Sequence, residues 1–200
     1  MSVRFYDRAV VEDLQRIFQD SKIRIYPPEQ DLFTLIPQQS NDNIILPAIS
    51  VSRPNWTLTE NSSHPMRFDG ATVRIDKNSH RVTRLQAISI RINYVFDIWT
   101  TTRGQNDDIM RELIFYYVLH PTLKVGIPYK LEHYYHNFNL WYEPDVEDNS
   151  DIAQHYQNGR YYRQSISCYT DDAYLWKTYD RAPTVADPSE IKLIIDGEDV

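Results

Sequence analysis

The sequence has little of several residue types, and each shortage excludes a class of protein. It contains one cysteine, Cys168, so no internal disulfide can form and a reducing compartment fits best. Cys168 lies in the alternating stretch SISCY, which indicates a structural thiol in a strand rather than a nucleophile. Glycine is scarce, with 5 copies, and none of the motifs GxSxG, GxxxxGK[ST] and GxGxxG occurs. Hydrolase, P-loop and dinucleotide-binding functions therefore have no local support.

Positive charge and long apolar runs are also in short supply. Lys and Arg total 21 against 28 Asp and Glu, which gives a net charge of −7. A general nucleic-acid binder needs a basic face to displace counterions, so we expect no sequence-specific nucleic-acid partner, although a local basic patch is compatible with this balance. No window approaches 18 uncharged apolar residues, and MSVRFYDRAV shows no apolar signal core. We therefore expect neither a membrane span nor a membrane partner.

Aromatic residues, by contrast, are abundant. The chain has 15 Tyr and 4 Trp, side chains that give a large contact area for little entropy and are common in protein interfaces. The alternative is that tyrosine is simply a good strand residue. With 42% apolar and 24% charged residues, the composition is that of a globular protein, and residues 1–200 suit a single domain.

The stretch LQAISIRINYVFDIWTTTRG alternates with period two over residues 86–99. Its even positions are Ile88, Ile90, Ile92, Tyr94, Phe96 and Ile98. This pattern predicts an antiparallel strand with one dry and one wetter face. At about 3.3 Å per residue the strand spans roughly 45 Å. A strand this long either bends at a bulge or pairs along part of its length with another chain.

A helix is predicted directly after this strand. Asn106 or Asp107 is a suitable N-cap, and Pro121 ends the helix IMRELIFYYVL. One broad apolar face is expected to pack on the dry face of strand 86–99. This face comprises Met110, Leu113, Ile114, Tyr117 and Val118.

The remaining pattern indicates one more helix and several strands. A helix is predicted after Asp7, and short strands at KIRIYP, IILPAISVSRP and LKVGIPY. A long aromatic strand is predicted over 130–142, then a hairpin around Thr170-Asp171-Asp172, then a last strand at EIKLIID. The predicted class is α+β, with a mixed, mostly antiparallel sheet packed against two helices and an extended hairpin insertion.

Residues 55–84 form that insertion. They are polar, and Asp69-Gly70 between two alternating runs favours a tight turn. The segment has a local positive balance, carried by Arg67, Arg74, Lys77, His80, Arg81 and Arg84. A solvated loop is the default interpretation. The sharper alternative is a projecting surface that docks an acidic partner protein or a neighbouring subunit.

Three groups of polar residues are candidates for chemical sites. His133 and His136 lie on opposite faces of a strand, which argues against zinc. The acidic run from Asp145 resembles a calcium loop, but it has Ser150 and Tyr156 where that loop needs Gly and Glu, so a solvated loop is the better interpretation.

The third group lies at the junction between strand and helix. It comprises Asp97, Arg103, Asp107, Asp108, Arg111 and Glu112. Paired carboxylates there suit acid–base chemistry, but helix capping and an Asp107–Arg111 ion pair explain them more simply. We predict no enzyme, no catalytic residue, no cofactor and no metal. The competing hypothesis is an enzyme whose site is built from His133, His136, Asp97 and Arg103.

The central block resembles a family of structural proteins. PAISVSR and YVFDIWTTTRGQNDDIMRELIFYYVLHPTLKVGIPY are similar to neck and tail-end proteins of long-tailed bacteriophages, especially tail terminators. The resemblance covers about the middle third of the chain. It implies a non-enzymatic virion protein, present in host cytoplasm during assembly, that forms a ring of six subunits. Such a ring ends tube polymerisation at the head-proximal end of the tail and joins the tail to the neck, with tube or sheath proteins and a head-side connector as partners.

Two other functions remain as alternatives. One is another head–tail connector, such as a stopper or adaptor. The other is a carbohydrate-binding module that uses Tyr134, Phe138 and Tyr142 on one strand face. The candidate residues for a subunit or partner interface are Trp56, Arg67, Phe68, Arg74, Trp99 and Arg103. The ends of strand 86–99, near Gln86 and Trp99, are expected to need pairing partners because unpaired strand edges promote uncontrolled association.

Overall fold

A computed structural model describes residues 3–28, 46–59, 66–76, 81–129, 132–150 and 161–179. Within these residues the elements in chain order are α1 (Arg4–Ile17), β1 (Arg24–Tyr26), β2 (Ala48–Leu58), β3 (Met66–Asp76), β4 (Arg81–Thr100), α2 (Arg103–Leu119), β5 (Thr122–Tyr129), β6 (Glu132–Asn139), β7 (Trp141–Asp148) and β8 (Tyr162–Tyr179). The predicted α+β class, with a mostly antiparallel sheet and two helices, is confirmed. None of the described helices is long and apolar enough to cross a membrane.

The predicted alternating strand is the centre of the fold. β4 has 20 residues and carries β8 on one edge, while β2 and β3 share the other edge. Its even-numbered side chains from Ile90 to Ile98 are buried, as predicted. Both ends are paired within the chain, since Gln86 lies opposite Lys177 and Trp99 lies opposite Ala48. The pairing partners that these ends were expected to need thus lie within the chain, and of the two alternatives for a strand this long the structure shows bulges.

Bulges allow this long pairing. The β4–β8 register shifts between Ile90 and Ile92, and the β2–β4 register shifts between Ser52 and Asn55. Pro54 lies inside the second shift, as expected for a residue with no N–H to donate to a ladder. Extra residues of this kind bend the bulged strand and increase its local twist.

The helices cover one face of the sheet. α2 packs Ile109, Met110, Leu113 and Tyr117 against the β4 core, with the Phe96 and Tyr117 ring centroids 6.3 Å apart. The helix was predicted to begin at Asn106 or Asp107. It begins instead at Arg103, because the Thr102 hydroxyl accepts a hydrogen bond from the Gln105 N–H. The burial of this face confirms the predicted packing of helix on strand.

α1 covers the neighbouring part of the core with Val10 and Leu14, both fully buried. It begins at Arg4, one turn before the position expected from Asp7. Asp7 is itself buried, where it accepts a 3.0 Å hydrogen bond from the Tyr94 hydroxyl and pairs with Arg53 at 3.4 Å. This carboxylate therefore joins the first helix to the central strand and to β2.

Two turn predictions and one strand prediction were wrong. Asp69-Gly70 lies within β3, in a register shift between Arg67 and Thr72, and β3 pairs antiparallel with β4. The hairpin predicted at Thr170-Asp171-Asp172 is a bulge inside the single 18-residue strand β8. The aromatic strand predicted over 130–142 divides at Leu140 into β6 and β7, which belong to different sheets. The last predicted strand, EIKLIID, lies outside the described residues.

The free edge of β8 is partly closed by other elements. β7 pairs with its first half. Beyond β7, the Tyr6 hydroxyl accepts from the Tyr174 N–H at 2.8 Å, and Nε2 of His136 lies 2.6 Å from the Asp172 carbonyl. Among the described elements, the second half of this edge bonds to side chains of α1 and β6.

Candidate assembly interface

Large apolar side chains remain on the surface at several places among the described residues. They are Trp56, Leu58, Phe115, Val118, Leu119, Tyr135, Trp141 and Val146, with 43–67% of each exposed. Single exposed apolar residues are ordinary in a folded monomer, but groups of them mark interaction surfaces. The arrangement of these residues on the elements therefore decides whether they matter.

The outer face of α2 carries one such group. Phe115, Val118 and Leu119 follow the i, i+3, i+4 spacing of one helix face and are 63%, 67% and 67% exposed. The sequence pattern assigned Val118 to the buried face, and that assignment is wrong. The buried face is shifted toward Ile109, so this second stripe points away from the core. We call these three residues the α2 stripe.

The tip of β2 carries a second group. Trp56 lies opposite Ile92 and Leu58 lies opposite Ile90, and residues directly opposite each other share a sheet face. Ile90 and Ile92 are fully buried, whereas Trp56 is 43% and Leu58 is 60% exposed. The apolar face of the sheet thus continues to the surface at the end of β2.

β7 combines exposed apolar groups with negative charge. Trp141 and Val146 are 45% and 43% exposed. The strand also carries Glu143, Asp145, Glu147 and Asp148. Arg103 lies 3.8 Å from Asp148. The pKa of Asp148 is lowered, first by hydrogen bonds from the side chain and backbone of Ser150 and then by the Arg103 charge. Asp148 is therefore an ionised surface group at neutral pH.

The charges predicted to cluster at the strand–helix junction do not form one site. Asp97 is buried and accepts hydrogen bonds at its Oδ1 from Arg163, at 3.2 Å and 2.9 Å, and from the Ser165 hydroxyl at 2.5 Å. The guanidinium of Arg163 also lies 5.1 Å from the centre of the Trp99 ring. This carboxylate is held by a buried cation and a hydroxyl, an arrangement that joins β4 to β8.

The helical charges at the junction pair differently from the prediction. Arg111 bonds to Asp108 at 2.9 Å, not to Asp107, and Asp107 accepts instead from the Gln164 amide. Both members of the Arg111–Asp108 pair are more than two-thirds exposed. Thr102, and neither of these carboxylates, caps the helix.

Among the described residues, the histidines form no metal site. No cluster of three or more His, Cys, Asp or Glu side chains suited to a metal occurs there. His136 instead lies among aromatic rings, 5.1 Å from Tyr174, 5.8 Å from Trp176 and 6.2 Å from Tyr6. The side chain of His133 lies outside the described residues.

Cys168 is buried, as expected for a structural thiol, and burial raises its pKa well above the usual range. The aromatic face suggested for carbohydrate does not exist as predicted. Phe138 is fully buried on β6, while Tyr142 belongs to β7 and donates its hydroxyl to the Leu113 carbonyl. The side chain of Tyr134 lies outside the described residues.

Of the six predicted interface residues, two are exposed, one is buried and three have side chains outside the description. Trp56 and Arg103 are exposed. Trp99 is only 1% exposed and donates its indole N–H to the Ser50 hydroxyl, so its ring belongs to the core of its own chain. Arg67, Phe68 and Arg74 lie on β3, where the structure describes the backbone and not the side chains.

The sequence pattern missed the α2 stripe and the Arg163–Asp97 pair. For the α2 stripe, a phase shift of one residue in the helical pattern hides the signal. For the ion pair, the partners are 66 residues apart in the chain, and no local spacing connects them.

Comparisons with known proteins complete the description. No protein-family model matches the sequence, and no curated protein matches it. A solved structure that is similar in fold is the sheath/tube terminator of an extracellular contractile injection system, PVC, in its extended state. It has 15% identity and a TM-score of 0.47, and the match covers 98% of this chain. This chain spans 65% of the neighbour's length.

Proposed function

We propose that this chain is a structural protein that ends a contractile or phage-type tail. It forms a closed ring at the head-proximal end of the tube, stops tube polymerisation and joins the tail to the neck. The observation that carries the proposal is the α2 stripe on the block that resembles tail terminators. That block forms one continuous unit, β4–α2–β5, whose inner side builds the core and whose outer side presents apolar residues.

Exposed apolar surface is unfavourable in a single chain and becomes favourable when a neighbour buries it. Three apolar side chains on one exposed helix face gain nothing in a soluble monomer, but they gain burial energy of about 25 cal/mol per Å² when a neighbour covers them. The β2 tip and β7 add exposed tryptophans, which are residues typical of interface centres. Several separate patches on one small chain suit a subunit that meets more than one neighbour.

Pairing of β4 across subunits no longer supports the ring, because β4 is paired on both edges within its own chain. Ring closure follows instead from the requirement for an assembly that stops. A head-to-tail contact between identical copies produces either a closed ring or an open filament, and only the closed ring ends a tube.

The test is tail length. Tube and sheath proteins are expressed with this chain, without it, or with a Phe115→Ser/Leu119→Ser variant, and tails are measured by cryo-EM. We expect uniform tails with a ring at one end in the first case and overlong, uncapped tubes in the other two. The matched control is Arg111→Ala, an exposed change on the same helix, which should leave tail length unaltered.

The outcomes separate the neighbouring roles. Tails of normal length in the absence of this chain would contradict a terminating role. If such tails also failed to attach to heads, the stopper or adaptor alternative would replace it. Density for a single copy, or for an open stack along the tail, would contradict the closed ring.

A further inference from the structure

Two of the edge strands of the sheet, β3 and β7, differ in charge. Within the described residues β3 pairs with β4 alone, and β7 pairs with β8 alone, so each is an edge strand. The β3–β4 end has more basic than acidic residues in a chain whose net charge is −7. Its charged residues are Arg67, Asp69, Arg74, Asp76, Arg81 and Arg84. β7 has acidic residues and no basic one.

The acidic side chains of β7 are available on the surface. Glu143, Asp145, Glu147 and Asp148 are all exposed. Among the described residues, ion pairs reach Glu143 from Arg91 at 4.0 Å and Asp148 from Arg103 at 3.8 Å. Asp145 and Glu147 take part in no ion pair there, and they lie two residues apart on β7. β7 therefore presents negative charge beside Trp141 and Val146.

These two edges cannot meet within one chain. β3 pairs with β4 between Arg81 and Ala87, whereas β7 lies across β8 from the part of β4 between Asn93 and Ile98. The centres of the two regions are about 12 residues of strand, or roughly 40 Å, apart along β4. They also lie on opposite sides of the β4–β8 pair. The basic and acidic edges thus lie at diagonally opposite corners of the sheet.

We propose that the basic β3–β4 edge of one copy docks on the acidic β7 edge of the next copy. This inference rests on the proposed ring and names the surfaces that build it. Two different patches that complement each other make a head-to-tail contact, whereas a two-fold dimer uses the same patch twice. Opposite charge fixes the orientation and rejects the wrong pairings, and the exposed apolar groups of β7 supply the contact area.

The test uses two charge-reversed variants of the full chain. One carries Arg74→Glu and Arg81→Glu on the basic edge, and the other carries Asp145→Lys and Glu147→Lys on the acidic edge. Self-association is measured by sedimentation velocity up to about 1 mM protein at low salt, where charge attraction is least screened. Each variant alone places like charges together, so we expect association at least tenfold weaker than in the native chain.

An equal mixture of the two variants is the decisive sample. In the mixture, the reversed basic edge of one variant faces the reversed acidic edge of the other, and the unreversed edges also match. Alternating copies should therefore associate as strongly as the native chain. The control is Glu12→Lys/Asp20→Lys, which changes net charge as the β7 variant does but lies on or just after α1, and it should associate normally.

Each result decides the proposal. Recovery in the mixture supports the contact. Native-like association of either variant alone overturns the proposed contact, and so does a loss of association that the mixture does not recover. The tail-length experiment still tests the ring separately. A native chain that stays monomeric throughout also overturns the contact. If a variant fails to fold by circular dichroism, the salt dependence of native association takes its place, and association unchanged between about 0.05 and 0.5 M salt overturns the contact.

Discussion

Replacing Asp97 with Asn isolates the contribution of one buried charge. The side chain keeps its shape and one acceptor oxygen, but the other oxygen becomes an NH2 donor and the charge that faces Arg163 is lost. Asp97 and Arg163 are 5% and 11% exposed and 2.9 Å apart. The chain offers a matched control, since Asp108 and Arg111 are also 2.9 Å apart but are 68% and 67% exposed. The two substitutions Asp97→Asn and Asp108→Asn differ mainly in burial.

The expected magnitudes follow from that difference. Removing one member of a buried ion pair leaves the other charge without compensation in a poorly solvated site, which costs about 3–5 kcal/mol. An exposed pair one helical turn apart contributes about 0.3–0.5 kcal/mol. Arg163 remains beside the Trp99 ring in the variant, and that contact, of about 0.5–2 kcal/mol, offsets part of the loss. We therefore expect Asp97→Asn to cost near 3 kcal/mol and Asp108→Asn less than 1 kcal/mol.

Urea unfolding of both variants, monitored by fluorescence and circular dichroism, measures these free energies of unfolding. An unchanged dependence on urea shows that the folded and unfolded states are comparable with those of the native chain. For a chain of this size, 3 kcal/mol corresponds to a fall in melting temperature of about 6–12 °C. Equal losses in the two variants, or a loss under 1 kcal/mol for Asp97→Asn, would refute the argument from burial.

Three further predictions use the same stability measurements. Burial raises the pKa of several tyrosines, namely Tyr6, Tyr94, Tyr117 and Tyr142. The stability that these protonated tyrosines contribute is present at and below pH 10. As pH rises above 10, the free energy of unfolding falls by about 1.4 kcal/mol per pH unit for each tyrosine that stays protonated in the folded state. Absorbance at 295 nm should therefore show a late titration that coincides with unfolding. Trp99→Ala should cost about 3–5 kcal/mol and Trp56→Ala at most about 0.5 kcal/mol, and similar losses would contradict the assigned burial. Thr102→Ala should cost about 1 kcal/mol through the lost helix cap, whereas no change in melting temperature would place the cap elsewhere.

The elements that could be predicted from the sequence are those with a long regular period. Alternation over β4 identified the strand and its buried face, because every second side chain must enter the core. The apolar spacing of α2 identified the helix and the strand face that it covers. In both elements the pattern extends over enough residues that a local irregularity does not hide it.

The turns could not be predicted in the same way. Asp, Gly and Thr favour tight turns, but they also suit bulges, and Thr170-Asp171-Asp172 lies in a bulge because β4 continues past it as a partner. The division at Leu140 has no glycine or proline to mark it. It arises because β6 pairs with β5 while β7 pairs with β8.

Burial on the second face of β4 also could not be predicted from the local sequence pattern. Trp99 lies on the side predicted to be wetter, but Tyr26 and Ala48 pack against it there. Those contacts come from strands far apart in the chain. The candidate interface was predicted in part for the same reason, since exposure depends on which distant element covers each residue.

The bond between Tyr6 and Tyr174 has a consequence for the order of events during synthesis. The two residues are 168 positions apart, so α1 is made early and its bonding partner on β8 is made late. Until β8 leaves the ribosome, β4 lacks the strand that pairs with one of its edges, and the Tyr6 hydroxyl lacks its hydrogen-bond partner on β8. Contacts this distant in sequence form slowly. A ribosome-bound chain thus carries an open β4 edge from the synthesis of Thr100 until that of Tyr179. Nascent subunits at high local density are the population at greatest risk of mispairing.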